Sequence, residues 1–165
     1  MDVSPQLQRA GLPVVLTADY MEHHPLARTE WLKFLAAFFE NEDRSNEIFN
    51  SIKAKYTGLL DKTKSIDERP SVFCGAPYSG SWHVPGGDSF IARAIQDAGA
   101  HYLWADDPSR GSLPLDTERV FLRAADADYW IHPSHYRSLS ELFNADPRFA
   151  KFGAAQISQV FNNTR

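Results

Sequence analysis

Several residue types and patterns are scarce in this sequence of 165 residues, and each scarcity excludes something. The single cysteine, Cys74, permits no internal disulfide bond. No cluster of lysine and arginine occurs, and the formal net charge of −4 argues against a surface that tracks phosphates. No apolar run approaches the roughly 20 residues that span a bilayer, and no charged segment followed by an apolar one lies near Met1. We therefore expect neither a nucleic-acid partner nor a transmembrane segment in this chain.

Signatures of several enzyme and cofactor classes are also missing. The patterns G-x-G-x-x-G, G-x-x-x-x-G-K-[ST], H-E-x-x-H and G-x-S-x-G do not occur. Glycines precede a predicted helix in the stretch VPGGDSF, but Asp88 in that stretch would repel an anion. The side chains of the adjacent His23 and His24 diverge, so we interpret this pair as part of a solvated loop. No direct metal site is predicted.

Residues 70–100 form the best-defined unit of the sequence. They predict a short apolar strand over 71–75, a loop of about a dozen residues, and a helix that ends at Gly99. Asp88 or Ser89 is expected to cap this helix, because a short oxygen side chain accepts hydrogen bonds from the first turn. In an open α/β sheet such a loop lies at the carboxyl end of its strand, where ligands usually bind. We therefore expect this loop to form the wall of a cleft.

Strands alternate with helices along the rest of the chain. This order predicts an α/β fold, a three-layer lobe in which helices flank a mostly parallel sheet. The further strands are predicted at Pro13–Thr17, Ala100–Ala105, Asp128–His132 and Gln159–Phe161. The further helices are the end of one within Met1–Leu12, a helix over Glu118–Ala125 capped by Thr117, and a short one from Ser138 or Ser140 to Phe143.

A long helix is predicted between Glu30 and Lys64, with Thr29 as its N-cap, because this stretch contains no proline and only one glycine. Its roughly 35 residues would span about 50 Å if the helix is continuous, and the polar middle over 40–47 allows a bend or a short break. A helix of that length usually connects two bodies. The predicted division is residues 1–28 as the end of a first lobe, 29–65 as the linking helix and 66–165 as a second α/β lobe.

Three loops of the second lobe are predicted to reach one rim, at residues 78–88, 105–113 and 133–137. Aromatic rings with a few hydrogen-bond donors suit a flat or conjugated ligand with polar edges. For the aromatic residues the alternative is that they simply cover the edge of the sheet. The candidate residues of these loops, with one from the loop that precedes the long helix, are Tyr78, Trp82, His83, Arg110, Ser112, His135, Tyr136 and Tyr20.

Two sequence patterns carry a resemblance to a known family. P-L-x-R-x-E-W occupies residues 25–31 and W-x-x-P-G-G-x-S-[FY] occupies residues 82–90, in this order around the predicted long helix. With the segments between and after them, the chain resembles the ABC-transporter substrate-binding proteins of the iron-siderophore and cobalamin type, the class III periplasmic binding proteins with a helical backbone. The likeness covers nearly all of the chain.

The resemblance implies two α/β lobes joined by one rigid helix, a ligand held between them, delivery to a membrane permease, and neither catalysis nor a cofactor. The implied ligand is an iron or cobalt chelate, such as an iron siderophore, haem or a cobalamin. The positions that correspond to the family's cleft loops are Trp82, Gly86, Gly87, Ser89 and Ser112. Glu118 falls where the family places the acid that pairs with arginines of the permease.

The sequence also departs from the family's pattern. The family has a signal peptide, often of the lipoprotein type, and a whole first lobe ahead of the segment seen here. We therefore expect this chain to be an internal part of a periplasmic protein that is lipid-anchored at full length, and to self-associate through the exposed long helix. The alternative from another class is a hydrolase-like α/β enzyme that uses His83 and His135 around the Trp82 loop.

Overall fold

The computed structural model describes residues 4–162 and has the α/β fold that the sequence predicts. Residues 1–3, which belong to the segment predicted to hold the end of a helix, and residues 163–165 lie outside the described residues. The helices are α1 (Ser4–Arg9), α2 (Pro25–Ala36), α3 (Glu42–Thr63), α4 (Phe90–Asp97), α5 (Thr117–Ala124), α6 (Leu139–Ala145) and α7 (Gly153–Gln156). The strands are β1 (Ser71–Cys74), β2 (Pro77–Tyr78), β3 (Ser81–Pro85), β4 (His101–Tyr102), β5 (Ser112–Leu115), β6 (Tyr129–Ile131) and β7 (Val160–Phe161).

The main sheet is parallel, with strand order β4-β1-β6-β7 and helices flanking it. Val72 in β1 pairs with Tyr102 on one side and with Tyr129 on the other. Four predicted strands are confirmed as the strands of this sheet. Ser89 is confirmed as the cap of α4, since its Oγ accepts a hydrogen bond from the Ala92 N–H at 3.2 Å. The Ser138 Oγ caps α6 in the same way, through the Glu141 N–H at 3.1 Å.

A second, antiparallel sheet of order β2-β3-β5 lies where the sequence predicted only loops, and that prediction was wrong. Each of its strands contains a proline, which disfavours a central strand but is tolerated in short and edge strands. The turn between β2 and β3 places Ser79 and Gly80 in the left-handed region, with φ of 50° and 85°. β5 pairs with this hairpin although it lies about 30 residues later in the chain. No local sequence pattern indicates that pairing.

The strand predicted over residues 13–17 is absent. A strand needs a neighbour to satisfy its backbone hydrogen bonds, and no described strand pairs with this segment. Val15 and Leu16 are exposed instead. An apolar, β-branched run indicates a strand only where another segment lies beside it.

The predicted long helix is two helices that pack side by side. It breaks after α2, where residues 37–39 form a 3₁₀ turn and Glu40 adopts a left-handed conformation with φ of 53°. α2 then lies along α3, with the Lys33 Nζ 3.9 Å from the centre of the Phe49 ring. The predicted cap was also wrong: α2 begins at Pro25, and the Thr29 hydroxyl donates back to the Pro25 carbonyl at 2.8 Å. The stretch has no proline or glycine at the bend, so packing between the two helices overrides its propensity to continue as one helix.

α3 is attached to the sheet-bearing part of the chain through Asp97 at the end of α4. The Tyr56 hydroxyl donates to the Asp97 carboxylate, which also accepts from the Arg93 Nε at 3.0 Å. The Thr63 hydroxyl donates to the Asp97 carbonyl at 3.0 Å. Burial raises the pKa of Tyr56 to about 12, and the hydrogen bond to Asp97 acts in the same direction. These bonds fix the C-terminal half of α3 against α4.

The core lies within residues 66–162 and is built largely from aromatic rings. Phe73, Trp130 and Phe152 pack with ring centroids 4.9–5.2 Å apart. The Trp130 Nε1 donates to the Gly75 carbonyl at 2.7 Å, so its polar atom is paired. Cys74 is buried beside them, and burial raises the pKa of its thiol to about 12. It is a core residue and not a reactive thiol.

Candidate functional site

An open cavity of about 410 Å³ lies between the segment ahead of α2 and the loops of the sheet-bearing part. One wall comes from residues 20–23, which include a 3₁₀ turn. The other wall comes from β3, the first turn of α4 and the start of β5. The lining residues are Tyr20, Met21, Glu22, His23, His83, Pro85, Ser89, Phe90, Ile91, Arg110, Gly111 and Ser112. Aromatic, aliphatic and charged groups therefore face one another across the cavity.

Gly86 and Gly87 place the α4 loop against the loop over 105–111. A Cβ on Gly86 would lie 2.3 Å from the Ser109 carbonyl oxygen, and one on Gly87 would lie 2.4 Å from the Asp107 carbonyl oxygen. Only glycine permits this approach. The Gly86 N–H donates to the Gly111 carbonyl at 2.7 Å, which ties the two loops together. The glycines thus act by joining the loops, and that contact brings Arg110 beside the start of α4.

A charged pair lies at the mouth of the cavity. The Arg110 Nε donates to the Asp88 carboxylate at 2.8 Å. This hydrogen bond holds the pKa of the Asp88 carboxyl below its ordinary value, and the charges of Arg110 and His23 act in the same direction. The guanidinium keeps further N–H donors beyond the one bonded to Asp88. The cavity can therefore offer a fixed cation to an anionic or carbonyl oxygen of a ligand.

The segment that forms the opposite wall is held by one side-chain contact to α2. The Trp31 Nε1 donates to the Glu22 carboxylate at 3.1 Å. The Arg28 guanidinium lies 5.2 Å from the centre of the Phe90 ring, which joins α2 to the first turn of α4. Tyr20 and Met21 are left largely exposed above the cavity. An aromatic ring and a thioether at this position suit contact with a flat, polarisable ligand.

The expectation that the Trp82 ring faces a ligand was wrong. Trp82 is fully buried, and its Nε1 donates to the Cys74 carbonyl at 3.0 Å. Its ring packs edge-on against Phe149 and Phe152 with centroids 5.8 and 6.0 Å away. Trp82 alternates with His83 along β3, so one side chain enters the core and the other lines the cavity. The Trp82 ring therefore packs in the core, on the face of β3 opposite to the cavity.

Three other candidates lie away from this cavity. Tyr78 is exposed on β2 and does not line it. His135 stacks on Tyr136 with ring centroids 4.7 Å apart, in the loop that follows β6. Tyr136 lines a separate small cavity with residues 137–139. The enzyme alternative rested on His83, His135 and an exposed Trp82 around one cleft, and the structure does not assemble that set.

Sequence reasoning identified His83, Ser89, Arg110, Ser112 and Tyr20 as candidates, and these five share the cavity. It missed the parts of both walls that local patterns do not mark, which are Met21, Glu22, His23, Pro85, Phe90, Ile91 and Gly111. The aromatic residue that closes the W-x-x-P-G-G-x-S-[FY] pattern was the available signal for Phe90. His23 had no such signal, because an adjacent pair of histidines in a loop was interpreted as solvated.

Two further observations concern the described residues as a whole. Within residues 4–162 no three histidine, cysteine, aspartate or glutamate side chains come together in a way that would hold a bare metal ion. In the same range no helix combines the length and the apolar character needed to cross a bilayer. Glu118 lies in the first turn of α5 with its side chain 75% exposed, 3.4 Å from the Arg148 Nη1.

The fold and the cavity together define a class of protein, an α/β solute-binding protein whose site lies at the loop end of a parallel sheet. The chain belongs to the periplasmic binding protein family, whose sequence model matches residues 2–163. This is a family of binding proteins and not of enzymes. Solved structures that share the fold of this chain include proteins named for iron, haem and vitamin B12.

One relative and two solved structures illustrate the similarity. An uncharacterized lipoprotein (MJ0878) of Methanocaldococcus jannaschii is 31% identical over 92% of this chain and 36% of its own length. The periplasmic heme-binding protein RhuT from Roseiflexus sp. RS-1 has a TM-score of 0.77 at 20% identity, over 96% of this chain and 60% of that one. The periplasmic vitamin B12 binding protein BtuF of Vibrio cholerae has a TM-score of 0.71 at 12% identity, over 97% and 59%.

The chain is short beside these relatives. It spans 36%, 42% and 50% of the length of the three curated relatives that it matches. The two solved structures share its fold at identities too low to carry their ligands over to it.

Proposed function

We propose that this chain is part of the substrate-binding component of an ABC importer and that it captures a metal chelate for delivery to a membrane permease. The observation that carries the proposal is the open cavity in which Tyr20, His83 and Arg110 face one another. An aromatic ring, an imidazole and a guanidinium suit a conjugated chelate with anionic edges. The ligand class is an iron siderophore, haem or a cobalamin, and the names of similar proteins support it.

The proposed organisation follows the chain order. Residues 1–28 are the end of a first lobe, residues 29–65 link the lobes, and residues 66–165 form the second lobe. Within the linker α3 is the rigid element, since its 22 residues span about 33 Å. The hydrogen bonds from α3 to Asp97 support this role. A helix that sets the distance between two lobes must be held in a fixed orientation, and these bonds fix α3 against α4.

A location and a docking contact are also part of the proposal. A periplasmic protein held by a lipid anchor is proposed, since a relative at 31% identity is named a lipoprotein. Glu118 is proposed to pair with a basic side chain of the permease. Its Arg148 partner is shared with Asp146, which accepts from the Arg148 Nη2 at 2.7 Å. An incoming arginine can therefore replace Arg148 at Glu118 while Arg148 stays paired.

The test is a titration of the full-length protein with haem, a ferric hydroxamate and cyanocobalamin, followed by tryptophan fluorescence and visible absorption. We expect saturable binding of one of the three. His83→Ala and Arg110→Gln should each weaken that binding by about tenfold, because each removes a polar contact of the cavity. Tyr78→Ala is the matched control and should bind like the wild type, since Tyr78 lies outside the cavity.

Two results would contradict the proposal. One is the absence of saturable binding of all three chelates by the full-length protein. The other is binding that survives both cavity substitutions unchanged, because the ligand would then lie elsewhere. The metal-free hydroxamate serves as a control for the chelate itself.

A further inference from the structure

The N-terminus of α2 is capped by a histidine ring. His24 has an extended backbone, with φ of −96° and ψ of 127°, and its Nδ1 accepts a hydrogen bond from the Leu26 N–H at 3.1 Å. Pro25, the first residue of the helix, has no N–H, so Leu26 carries the first backbone donor that needs a partner. A backbone N–H can only donate, so the cap requires an unprotonated Nδ1 on the His24 ring.

Protonation of the His24 ring would remove this cap. Both nitrogens of an imidazolium carry hydrogen, so Nδ1 would present a donor to the donor of Leu26. The positive charge would also lie at the end of the helix where the macrodipole is positive. Histidine is the side chain whose charge ordinarily changes between pH 5 and 8. The cap is therefore expected to be present at the alkaline end of that range and to be lost as the pH falls.

The groups around the His24 ring do not compensate a positive charge on it. The charged and titratable side chains of the surrounding elements are Tyr56 from α3, Arg93 and Asp97 from α4, and Glu22, His23 and Arg28 from its own segment. The Tyr56 ring lies 6.2 Å from the His24 ring, centroid to centroid, and its hydroxyl donates to Asp97. Asp97 is already paired with Arg93. Within residues 4–162 no carboxylate forms an ion pair with His24, so an imidazolium there would lack a counter-charge.

The cap lies next to the ligand cavity. Residues 20–23, which form one wall of the cavity, directly precede His24. α2 holds this wall at two points, the hydrogen bond to the Glu22 carboxylate and the cap itself. The first turns of α2 also contact the opposite wall, since the Arg28 guanidinium lies 5.2 Å from the centre of the Phe90 ring. Loss of the cap would therefore loosen one wall and its connection to the other.

We propose that His24 is a proton-sensitive positioning residue for ligand binding. Its neutral ring caps α2 and holds residues 20–23 as a wall of the cavity, and protonation releases that wall, so the ligand binds more weakly at acid pH. The effect on ligand affinity rests on the proposed function. The effect on the wall does not, because it is a property of the ligand-free protein.

The first measurement needs no ligand. Hydrogen–deuterium exchange of the full-length protein is followed by mass spectrometry at pH 7.5 and 5.5 and corrected for the intrinsic pH dependence of exchange. Protection of residues 20–28 should fall by about fivefold between the two, as expected for the loss of one helix cap. Residues 90–97 are the internal reference, because the Ser89 hydroxyl that caps α4 does not titrate in this range. Equal protection of residues 20–28 at both pH values would overturn the proposal.

Three variants separate the charge of His24 from its place in the fold. His24→Asn supplies an amide oxygen that accepts at both pH values, so the dependence of protection on pH should disappear. His24→Ala has no cap at either pH, and its protection at pH 7.5 should match that of the wild type at pH 5.5. His23→Gln removes the neighbouring histidine and should keep the pH dependence. Loss of the pH dependence in His23→Gln would assign the effect to His23 and overturn the proposal.

The second measurement is the affinity of the full-length protein for haem, the ferric hydroxamate and cyanocobalamin at the same two pH values. For a chelate that binds, the loss of affinity at pH 5.5 should be about fivefold greater in the wild type than in His24→Asn. His23 and His83, which also line the cavity, are present in both proteins and so do not contribute to this difference.

The two measurements distinguish failure of this inference from failure of the proposed function. Equal losses of affinity in the wild type and His24→Asn would refute the link between the cap and the cavity, and chelate binding itself would stand. If none of the three chelates binds, the proposed function fails and the predicted effect on affinity fails with it. The exchange measurement then still decides whether protonation of His24 releases the wall.

Discussion

Residues 66–162 and residues 4–65 bury their apolar side chains very differently. The first region packs Phe73, Trp82, Trp130 and their neighbours into one aromatic core. In the second region the buried side chains among those described are Ala36, Ser45 and Phe49. Phe39 and Leu16 there are 73% and 72% exposed. The comparison teaches that residues 66–162 supply their own core, whereas residues 4–65 present apolar surface that suits burial against something else.

The largest effect is expected in the core of residues 66–162. Trp82→Ala removes a fully buried ring and leaves the Cys74 carbonyl without its donor, so the free energy of unfolding should fall by about 3–5 kcal/mol. Urea denaturation followed by circular dichroism measures this change. Tyr78→Ala, an exposed aromatic on the neighbouring strand, should cost less than about 0.5 kcal/mol. Equal losses in the two variants would place Trp82 outside the core.

A second contrast uses one glycine from each region. An added Cβ on Gly87 would lie 2.4 and 2.5 Å from the carbonyl oxygens of Asp107 and Trp104, and backbone cannot give way easily. Gly87→Ala should therefore lower the free energy of unfolding by about 1–3 kcal/mol. Gly58 in α3 meets nothing within 4 Å, so Gly58→Ala should raise it by about 0.8 kcal/mol through helix propensity. Chemical denaturation measures both changes. A gain in stability for Gly87→Ala together with a loss for Gly58→Ala would contradict the packing assigned to the two glycines.

One of the contacts that join the two regions, the hydrogen bond from Tyr56 to Asp97, is expected to have an intermediate to small effect on stability. Tyr56→Phe removes the hydrogen bond to Asp97 and should cost about 1 kcal/mol near neutral pH. The pKa of Tyr56 is raised from 10.0 to about 12, so the neutral hydroxyl is favoured in the folded protein. Its contribution is fully present below pH 10 and is lost as the pH rises toward 12. The difference in stability between wild type and variant should therefore narrow across that interval, and a constant difference would contradict the assignment.

Substitutions on the exposed face of α3 are expected to have the smallest effect on the free energy of unfolding but a measurable effect on self-association. Ile52 and Leu59 are exposed and seven residues apart, so they share one face of the helix. We expect this chain to self-associate through that face, with a mass by light scattering that rises with concentration. Lysine at both positions should leave it monomeric, whereas Thr57→Lys should not. A clean wild-type monomer at high concentration would refute self-association.

The parts of the fold that could be predicted from sequence are those governed by neighbours along the chain. Ser89 and Ser138 cap their helices as predicted because a cap acts within three residues. Gly99 ends α4 with φ of 83°, a conformation that glycine adopts without strain. Among the strands of the parallel sheet, β1 was predicted from a short apolar run and β4 from a run in which apolar and polar residues alternate.

The parts that could not be predicted depend on contacts between distant segments. The polar middle over 40–47 allowed a bend, but no glycine or proline marks its position, and the pairing of α2 with α3 beyond the bend is a contact between distant segments. β5 joins the β2–β3 hairpin through residues about 30 positions away. The cavity was predicted in part for the same reason. Its loops near α4 carry a sequence motif, whereas the wall over residues 20–23 reaches the cavity only through the tertiary fold.

The sequence by itself determined the α/β class, most of the helix and strand positions and the family, because these depend on local pattern and on short motifs. Only the tertiary structure decided which side chains of those motifs face the cavity. Trp82 and His83 are neighbours in one strand, and the alternation of the strand sends Trp82 into the core and His83 to the cavity. Which of the two faces becomes the core depends on Phe149 and Phe152, more than 60 residues away.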